Sequence, residues 1–117
     1  MHNFILNNFY HLHDAGLDLV HIENLAGRDV REQNFVMKHV KYLRDEGISV
    51  ILIFSLSTQK RKIQDFIIKN IKHLREEGLD TEYIFTFARL EEKARNFLLA
   101  ERGKELGKDF SKLKSNH

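Results

Sequence analysis

Two residue types recur in this sequence at a fixed spacing of 31 residues. The spacing is shared by the phenylalanines Phe4, Phe35, Phe66 and Phe97 and by the glycines Gly16, Gly47 and Gly78. A period held by two residue types indicates an internal repeat, and repeats of this length are usually supersecondary units stacked on one another. The sequence therefore predicts a short array of repeats rather than an irregular globular fold.

The two central copies of the repeat are closely similar. Residues 35–48 (FVMKHVKYLRDEGI) and 66–79 (FIIKNIKHLREEGL) share Phe, both Lys, Leu, Arg, Glu and Gly, and most other positions carry conservative exchanges. Residues 4–17 (FILNNFYHLHDAGL) keep only the apolar positions, the aspartate and the glycine. Divergence at one end is typical of a terminal repeat, because its outer face meets water.

Helix signals alternate along each repeat. Phe35, Val36, Val40 and Leu43 fall on one arc at helical spacing, which predicts an amphipathic helix that ends at Gly47. Glycine suits a left-handed helix stop, and the Ser or Asp two residues later suits the next N-cap. We predict long helices over 3–15, 30–46, 60–77 and 91–106, and short helices over 18–26, 49–57 and 80–88.

The segment SVILIFSLS at 49–57 is ambiguous, because its β-branched and aromatic residues favour a strand by propensity alone. Its counterparts one repeat away, DLVHIENLA and DTEYIFTFA, share apolar and small residues at i, i+3 and i+4, which favours a short helix. The predicted fold class is all-α, a short solenoid of 31-residue helix-loop-helix repeats with about three units and seven helices. We predict one domain over 1–110, formed by a cap helix at 3–16 and repeats at 17–47, 48–78 and 79–109, and a frayed tail at 111–117.

Composition bounds the class of protein. There is no cysteine, and the most apolar stretch, residues 48–56, is too short to span a bilayer. We therefore expect an intracellular protein without a membrane partner. Residues 1–34 hold two basic and five acidic residues, whereas 35–117 hold seventeen basic and twelve acidic ones. This imbalance predicts that any polyanion-binding surface lies in the later repeats.

Motifs for catalysis or metal binding do not occur in the sequence. Its seven histidines show no metal-ligand spacing, and no nucleophile elbow, P-loop or dinucleotide-binding glycine motif occurs. We expect a protein that is not an enzyme and that has no metal, cofactor or small-molecule substrate.

Polar residues recur where a short helix gives way to a long one. Arg31, Lys62 and Lys93 share one repeat position, and two residues later come Gln33, Gln64 and Arg95. Side-chain donors in the first turn of a helix add to free backbone N–H groups and the positive end of the helix dipole, which favours phosphate. The alternative is that these are solvated surface residues, the usual situation of a basic side chain.

The stretch LDLVHIENLAGRDVREQ at 17–33 resembles the short helix and junction loop of TAL-effector-type DNA-binding repeats. The resemblance implies a right-handed superhelix around duplex DNA, with phosphate contacts from Gln33 and Gln64 and from Arg95 in the third unit. It also implies variable pairs of which the second residue faces a base, namely Arg28 and Asp29, Gln59 and Lys60, and Leu90 and Glu91. The family's paired glycines after these positions are replaced by Val30-Arg31, Arg61-Lys62 and Glu92-Lys93. Mitochondrial transcription termination factor repeats look similar as well.

Three functions remain open from the sequence. The first is a nucleic-acid-binding repeat module, with double-stranded DNA as the favoured ligand. The second is a scaffold that binds a protein partner or forms a homodimer. The third is a winged-helix DNA-binding protein, with a helix-turn-helix over 18–46, a recognition helix from Val30 to Arg44, and VILIF as the wing strand.

Overall fold

A computed structural model describes residues 2–110, and this part of the chain contains seven α-helices and no strand. The helices are α1 (His2–Asp14), α2 (Leu19–Ala26), α3 (Val30–Asp45), α4 (Val50–Ser57), α5 (Arg61–Glu76), α6 (Thr81–Ala88) and α7 (Glu92–Leu106). The all-α prediction is confirmed. The ends of the long and short helices predicted above lie within one residue of the observed ends, and the bound of 16 given for the cap helix lies two residues past Asp14. The tail predicted at 111–117 lies outside the described residues. None of the described helices is both long and apolar enough to cross a membrane.

The segment with the strongest strand propensity is helical. Val50–Ser57 forms α4, so the wing strand that the winged-helix alternative requires is wrong. Ser49 caps the helix by accepting a hydrogen bond from the Leu52 N–H at 3.2 Å, and Ile53 and Leu56 are buried. Helical spacing of the buried residues thus outweighs the β-propensity of individual ones.

Each of the short helices begins at a side-chain cap. Asp18, Ser49 and Asp80 each accept a hydrogen bond from the backbone N–H three residues later, at 2.9, 3.2 and 2.9 Å. Such a cap satisfies one of the donors that a helix start leaves unpaired, and it contributes about 1 kcal/mol. These caps fix where α2, α4 and α6 start.

Three of the long helices stop at glycines of the 31-residue pattern. Gly16, Gly47 and Gly78 have φ of 95°, 83° and 101°, the left-handed conformation that glycine adopts without steric cost. After each glycine, a buried apolar residue donates its N–H to the carbonyl five residues earlier, at 3.0 to 3.1 Å. This hydrogen bond and the buried side chain together form a Schellman stop.

Helix α7 ends in the same kind of turn but earlier than the period predicts. The residue 31 positions after Gly78 is Asp109, whereas the left-handed residue is Gly107, with φ of 69°. Lys108 donates its N–H to the Gly103 carbonyl at 2.7 Å, and Phe110 is buried. The chain therefore turns back over the last turn of α7.

The chain divides into two compact units, one up to Gln59 and one from Lys60 onward. In the first unit, α1 packs against α2, and α3 packs against both α2 and α4. Arg44 of α3 joins two helix ends there, because its guanidinium donates to the carbonyls of Ala15 and Ile48, both at 3.1 Å. In the second unit, α6 packs against both α5 and α7. The single domain and its division into repeats stay predictions.

The phenylalanines of the pattern do not share one environment. Phe35 and Phe66 are buried, at 9% and 1% exposure, and Phe4 is half-buried. Phe97 on α7 is 63% exposed. This position of the repeat is therefore a core position on α3 and α5 but not on α7.

Candidate nucleic-acid interface

The start of α3 brings two of the predicted residues together. Arg31 is exposed, and its Nη2 donates a hydrogen bond to the backbone carbonyl of Gln59 at 2.7 Å. Asp29, a predicted base-facing residue, is the N-cap and accepts from the Glu32 N–H at 2.8 Å. The carboxylates of Asp29 and Glu32 already occupy the positive end of the helix dipole, so this start offers little extra attraction to phosphate.

Arg28, the other residue of this pair, is held within the first unit. Its Nε donates to Asn24 at 2.8 Å, its Nη1 pairs with Glu32 at 2.9 Å, and its guanidinium lies 4.9 Å from the centre of the Phe54 ring. It lines a mainly apolar groove of about 390 Å³ together with Val20, Ile51 and five further residues. Base contact by Arg28 would require these bonds to be exchanged.

Gln33 caps the end of a helix. Its side-chain amide nitrogen donates to the carbonyls of Leu25 and Ala26 at 3.1 and 3.2 Å. These carbonyls belong to the last turn of α2, where a helix has no N–H donors of its own for its final C=O groups. The Gln33 side chain is therefore engaged in joining the start of α3 to the end of α2.

The start of α5 carries three consecutive basic residues. Lys60 stands at the N-cap position, where no side chain caps the helix, and Arg61 and Lys62 form the first turn, which has no acidic residue. All three are exposed, and within residues 2–110 their side chains make no ion pair or hydrogen bond. The N–H groups of Arg61 and Lys62 lie in the first turn, where a helix supplies no acceptor.

Two of the predicted phosphate residues are buried in the structure. Gln64 is 8% exposed, and Arg95 is 6% exposed, with its guanidinium 4.3 Å from the centre of the Phe66 ring. Burial lowers the pKa of the Arg95 guanidinium below its ordinary value, and the nearby Glu92 carboxylate acts in the opposite direction. The Nε of Arg95 has no hydrogen-bond partner among the described residues.

The start of α7 is acidic. Glu91, at the N-cap position, makes no side-chain cap, and Glu92 follows in the first turn. Lys93 is exposed, and Leu90 is half-buried. Carboxylates suit the positive end of a helix dipole and repel phosphate, so Lys93 is the one residue of this turn that attracts a polyanion.

The 31-residue spacing implies that the starts of α3, α5 and α7 are equivalent, but the charges at these three helix starts differ. The charged residues at the start of α5 are all basic, whereas acidic residues accompany Arg31 and Lys93. Arg61 is not among the residues predicted to contact phosphate, because the residues 31 positions before and after it, Val30 and Glu92, are not basic. The run Lys60-Arg61-Lys62 is the local signal that identifies it.

In residues 2–110, no group of three His, Asp or Glu side chains is arranged to hold a metal ion. No protein-family model, curated protein or solved structure matches the chain.

Proposed function

We propose that this chain is a non-enzymatic nucleic-acid-binding module that contacts the phosphates of double-stranded DNA at the starts of its long helices. In this proposal the helices stack as a short right-handed solenoid of 31-residue repeats, similar to TAL-effector-type repeats. The observation that carries it is the exposed basic first turn of α5, formed by Lys60, Arg61 and Lys62.

The charges at this helix start disfavour the helix by itself. Each cation near a helix N-terminus is unfavourable by about 0.3 to 1 kcal/mol, because it meets the positive end of the dipole. Helices α2, α3, α4 and α6 begin instead with a Ser or Asp N-cap, whose side-chain oxygen accepts a backbone hydrogen bond. A bound phosphate would remove the conflict at α5, because it is attracted by the cations, the dipole and the free N–H groups together.

A salt series with duplex DNA tests the proposal. We expect log Kd to depend linearly on log salt between about 50 and 200 mM, because phosphate contacts release counterions. The variant Lys60→Ser/Arg61→Ala/Lys62→Ala should bind more weakly, with a salt slope reduced by about two to three units if each cation meets one phosphate. Fluorescence anisotropy with a labelled duplex measures both quantities.

A matched control is the variant Lys38→Ala/Lys41→Ala/Lys72→Ala. It also removes three exposed basic residues, but from the middle of α3 and α5. We expect it to retain most of the affinity. Equal losses in the two variants would reduce the interaction to general charge attraction and contradict a phosphate contact at the start of α5.

The base-facing role stays part of the proposal. Asp29, Lys60 and Glu91 all stand at N-cap positions of long helices, so they share one structural place. Carboxylates accept hydrogen bonds from cytosine, and lysine donates to guanine, so these residue types can discriminate base pairs in a major groove.

The second candidate function is a scaffold that binds a protein partner or a second copy of itself. Large apolar side chains that are more than half exposed favour it, namely Leu6, Tyr10, Leu19, Val20, Val30, Ile51 and Phe97. Light scattering distinguishes the two functions, since a stable dimer that ignores duplex DNA would support the scaffold.

A further inference from the structure

Helix α7 carries apolar side chains on two sides. Leu99 is buried in the second unit, whereas Phe97 and Leu98 are 63% and 40% exposed and Ala94 is exposed as well. A surface helix normally has one apolar stripe, which faces the core, and a helix that is apolar all round is normally covered all round. The exposed side of α7 therefore has the composition of a contact surface.

The same positions are buried elsewhere in the chain. The counterparts of Phe97 and Leu98 are Phe35 and Val36 on α3 and Phe66 and Ile67 on α5, all at most 9% exposed. Each of those helices packs against the short helix that follows it, α4 or α6. No helix follows α7 within residues 2–110. Phe97 and Leu98 are thus apolar residues at positions that are buried in α3 and α5. Within residues 2–110, however, no following helix packs against α7 as α4 and α6 pack against α3 and α5.

Charged residues flank the exposed phenylalanine symmetrically. Lys93, Phe97 and Glu101 follow one another at intervals of four, so they lie on one stripe of the helix, and all three are exposed. If two α7 helices pair antiparallel about Phe97, Lys93 of each faces Glu101 of the other. A parallel pairing would place like charges together, so the charge pattern selects the antiparallel arrangement.

We propose that a second copy of this chain docks on this face of α7 through its own α7, forming a two-fold symmetric dimer. The two Phe97 rings meet at the axis, and Ala94 lets the helices approach closely. A two-fold axis uses the same patch on both copies and closes the assembly at two. The proposal specifies the self-association named as the second candidate function, and it does not rest on the phosphate contacts.

The contact of Glu101 within its own helix is compatible with this pairing. Glu101 accepts from the Lys104 ammonium at 3.1 Å, and both side chains are largely exposed. An exposed ion pair of this spacing contributes little to stability, so Glu101 can exchange Lys104 for Lys93 of the second copy with little loss of free energy.

Sedimentation equilibrium of the full chain over a concentration series tests the dimer. We expect a monomer–dimer equilibrium, and Phe97→Ser should raise the dimer Kd by at least about a hundredfold, because a symmetric contact loses the central ring twice. The substituted side chain is exposed, so the helical circular dichroism signal should not change. Phe97→Ser should also leave duplex binding by the monomer unchanged, which separates this proposal from the phosphate contacts.

Charge exchange tests the antiparallel register. Lys93→Glu and Glu101→Lys should each weaken the dimer about tenfold, because each creates two like-charge contacts. The double variant Lys93→Glu/Glu101→Lys should restore the dimer to within about threefold of the original Kd, since the pairs reform with exchanged signs. The control Leu6→Gln/Tyr10→Ser removes two more exposed apolar residues, on α1, and should leave the Kd unchanged.

Four results would overturn the proposal. They are a chain that stays monomeric at all concentrations, a double charge exchange that does not restore association, and loss of association in the α1 control, which would indicate head-to-tail contact. The fourth is a monomer that becomes a dimer when residues 111–117 are deleted, since that result would assign the face to that segment.

Discussion

Gln33 and Arg95 occupy the same place in the 31-residue pattern, at the fourth residue of a long helix. Gln33 donates to two carbonyls at the end of α2, whereas Arg95 is buried against Phe66 and its Nε has no partner among the described residues. Sequence alone gave both residues one role, because periodicity aligns positions but does not report burial. A buried guanidinium N–H without a hydrogen bond is unfavourable, and this makes Arg95 a position where a substitution can stabilise the protein.

The variant Arg95→Gln should raise the free energy of unfolding by about 1 kcal/mol. A glutamine at this position is expected to donate to the carbonyls of Phe87 and Ala88, as Gln33 does to their counterparts Leu25 and Ala26. It also removes a charge whose burial is costly. Urea denaturation followed by circular dichroism measures the change.

The matched variant is Gln33→Ala, which leaves those carbonyls of α2 without their side-chain donor and should destabilise by about 1 to 2 kcal/mol. If Arg95→Gln also destabilises, the stacking of the guanidinium on Phe66 outweighs its desolvation.

Helix boundaries are the part of this structure that sequence predicts best. Caps such as Asp18 and Ser49 and stops such as Gly47 act within one turn, so local residue types determine them. The end of α7 follows the same rule, since the helix predicted over 91–106 ends at Leu106 and Gly107 adopts the left-handed conformation, although the 31-residue period places no glycine there. The exposure of Phe97 escaped prediction, since burial depends on which element packs alongside.

The uncapped start of α5 gives a prediction with two opposite effects. Lys60→Asp supplies an N-cap and removes a cation from the positive end of the dipole, so it should stabilise the protein by about 1 to 2 kcal/mol. If the proposed function holds, the same change should weaken duplex binding, because it reverses one charge of the basic turn. Thermal unfolding and anisotropy on one sample measure both.

Glu91→Asp is the control for this pair of effects. Glu91 also stands at an N-cap position without a cap, at the start of α7. The shorter side chain should add a cap and stability. Because the net charge stays the same, it should weaken duplex binding much less than Lys60→Asp does, even if Glu91 faces a base. A Lys60→Asp variant that is more stable and binds equally well would remove α5 from the interface.

Charge is distributed unevenly over the whole molecule. Residues 1–59 carry five basic and seven acidic residues, whereas residues 60–117 carry fourteen and ten. This division is the boundary of the two compact units, between Gln59 and Lys60. The basic first turn of α5 thus opens the unit that is positive overall, and the attraction of a polyanion belongs mainly to that unit.

Amide chemical shifts should report this asymmetry during a titration with duplex DNA. We expect the largest changes in residues 60–64, smaller ones elsewhere in 60–110, and the smallest in the first unit. Heteronuclear correlation spectra of labelled protein provide the measurement. Changes concentrated around Arg31 and Asp29 would instead place the interface at the start of α3.

The most extensive helix contacts in each unit join neighbours along the chain, as with α3 and α4 or α5 and α6. Each of these contacts closes only a short loop, so the entropy lost before the contact forms is small. Proteins built from such local contacts fold in microseconds to milliseconds, far faster than domains that must join distant strands. The glycine stops and Asp or Ser caps described above therefore also shape the folding rate, because they place each helix pair in contact range soon after its turn has formed.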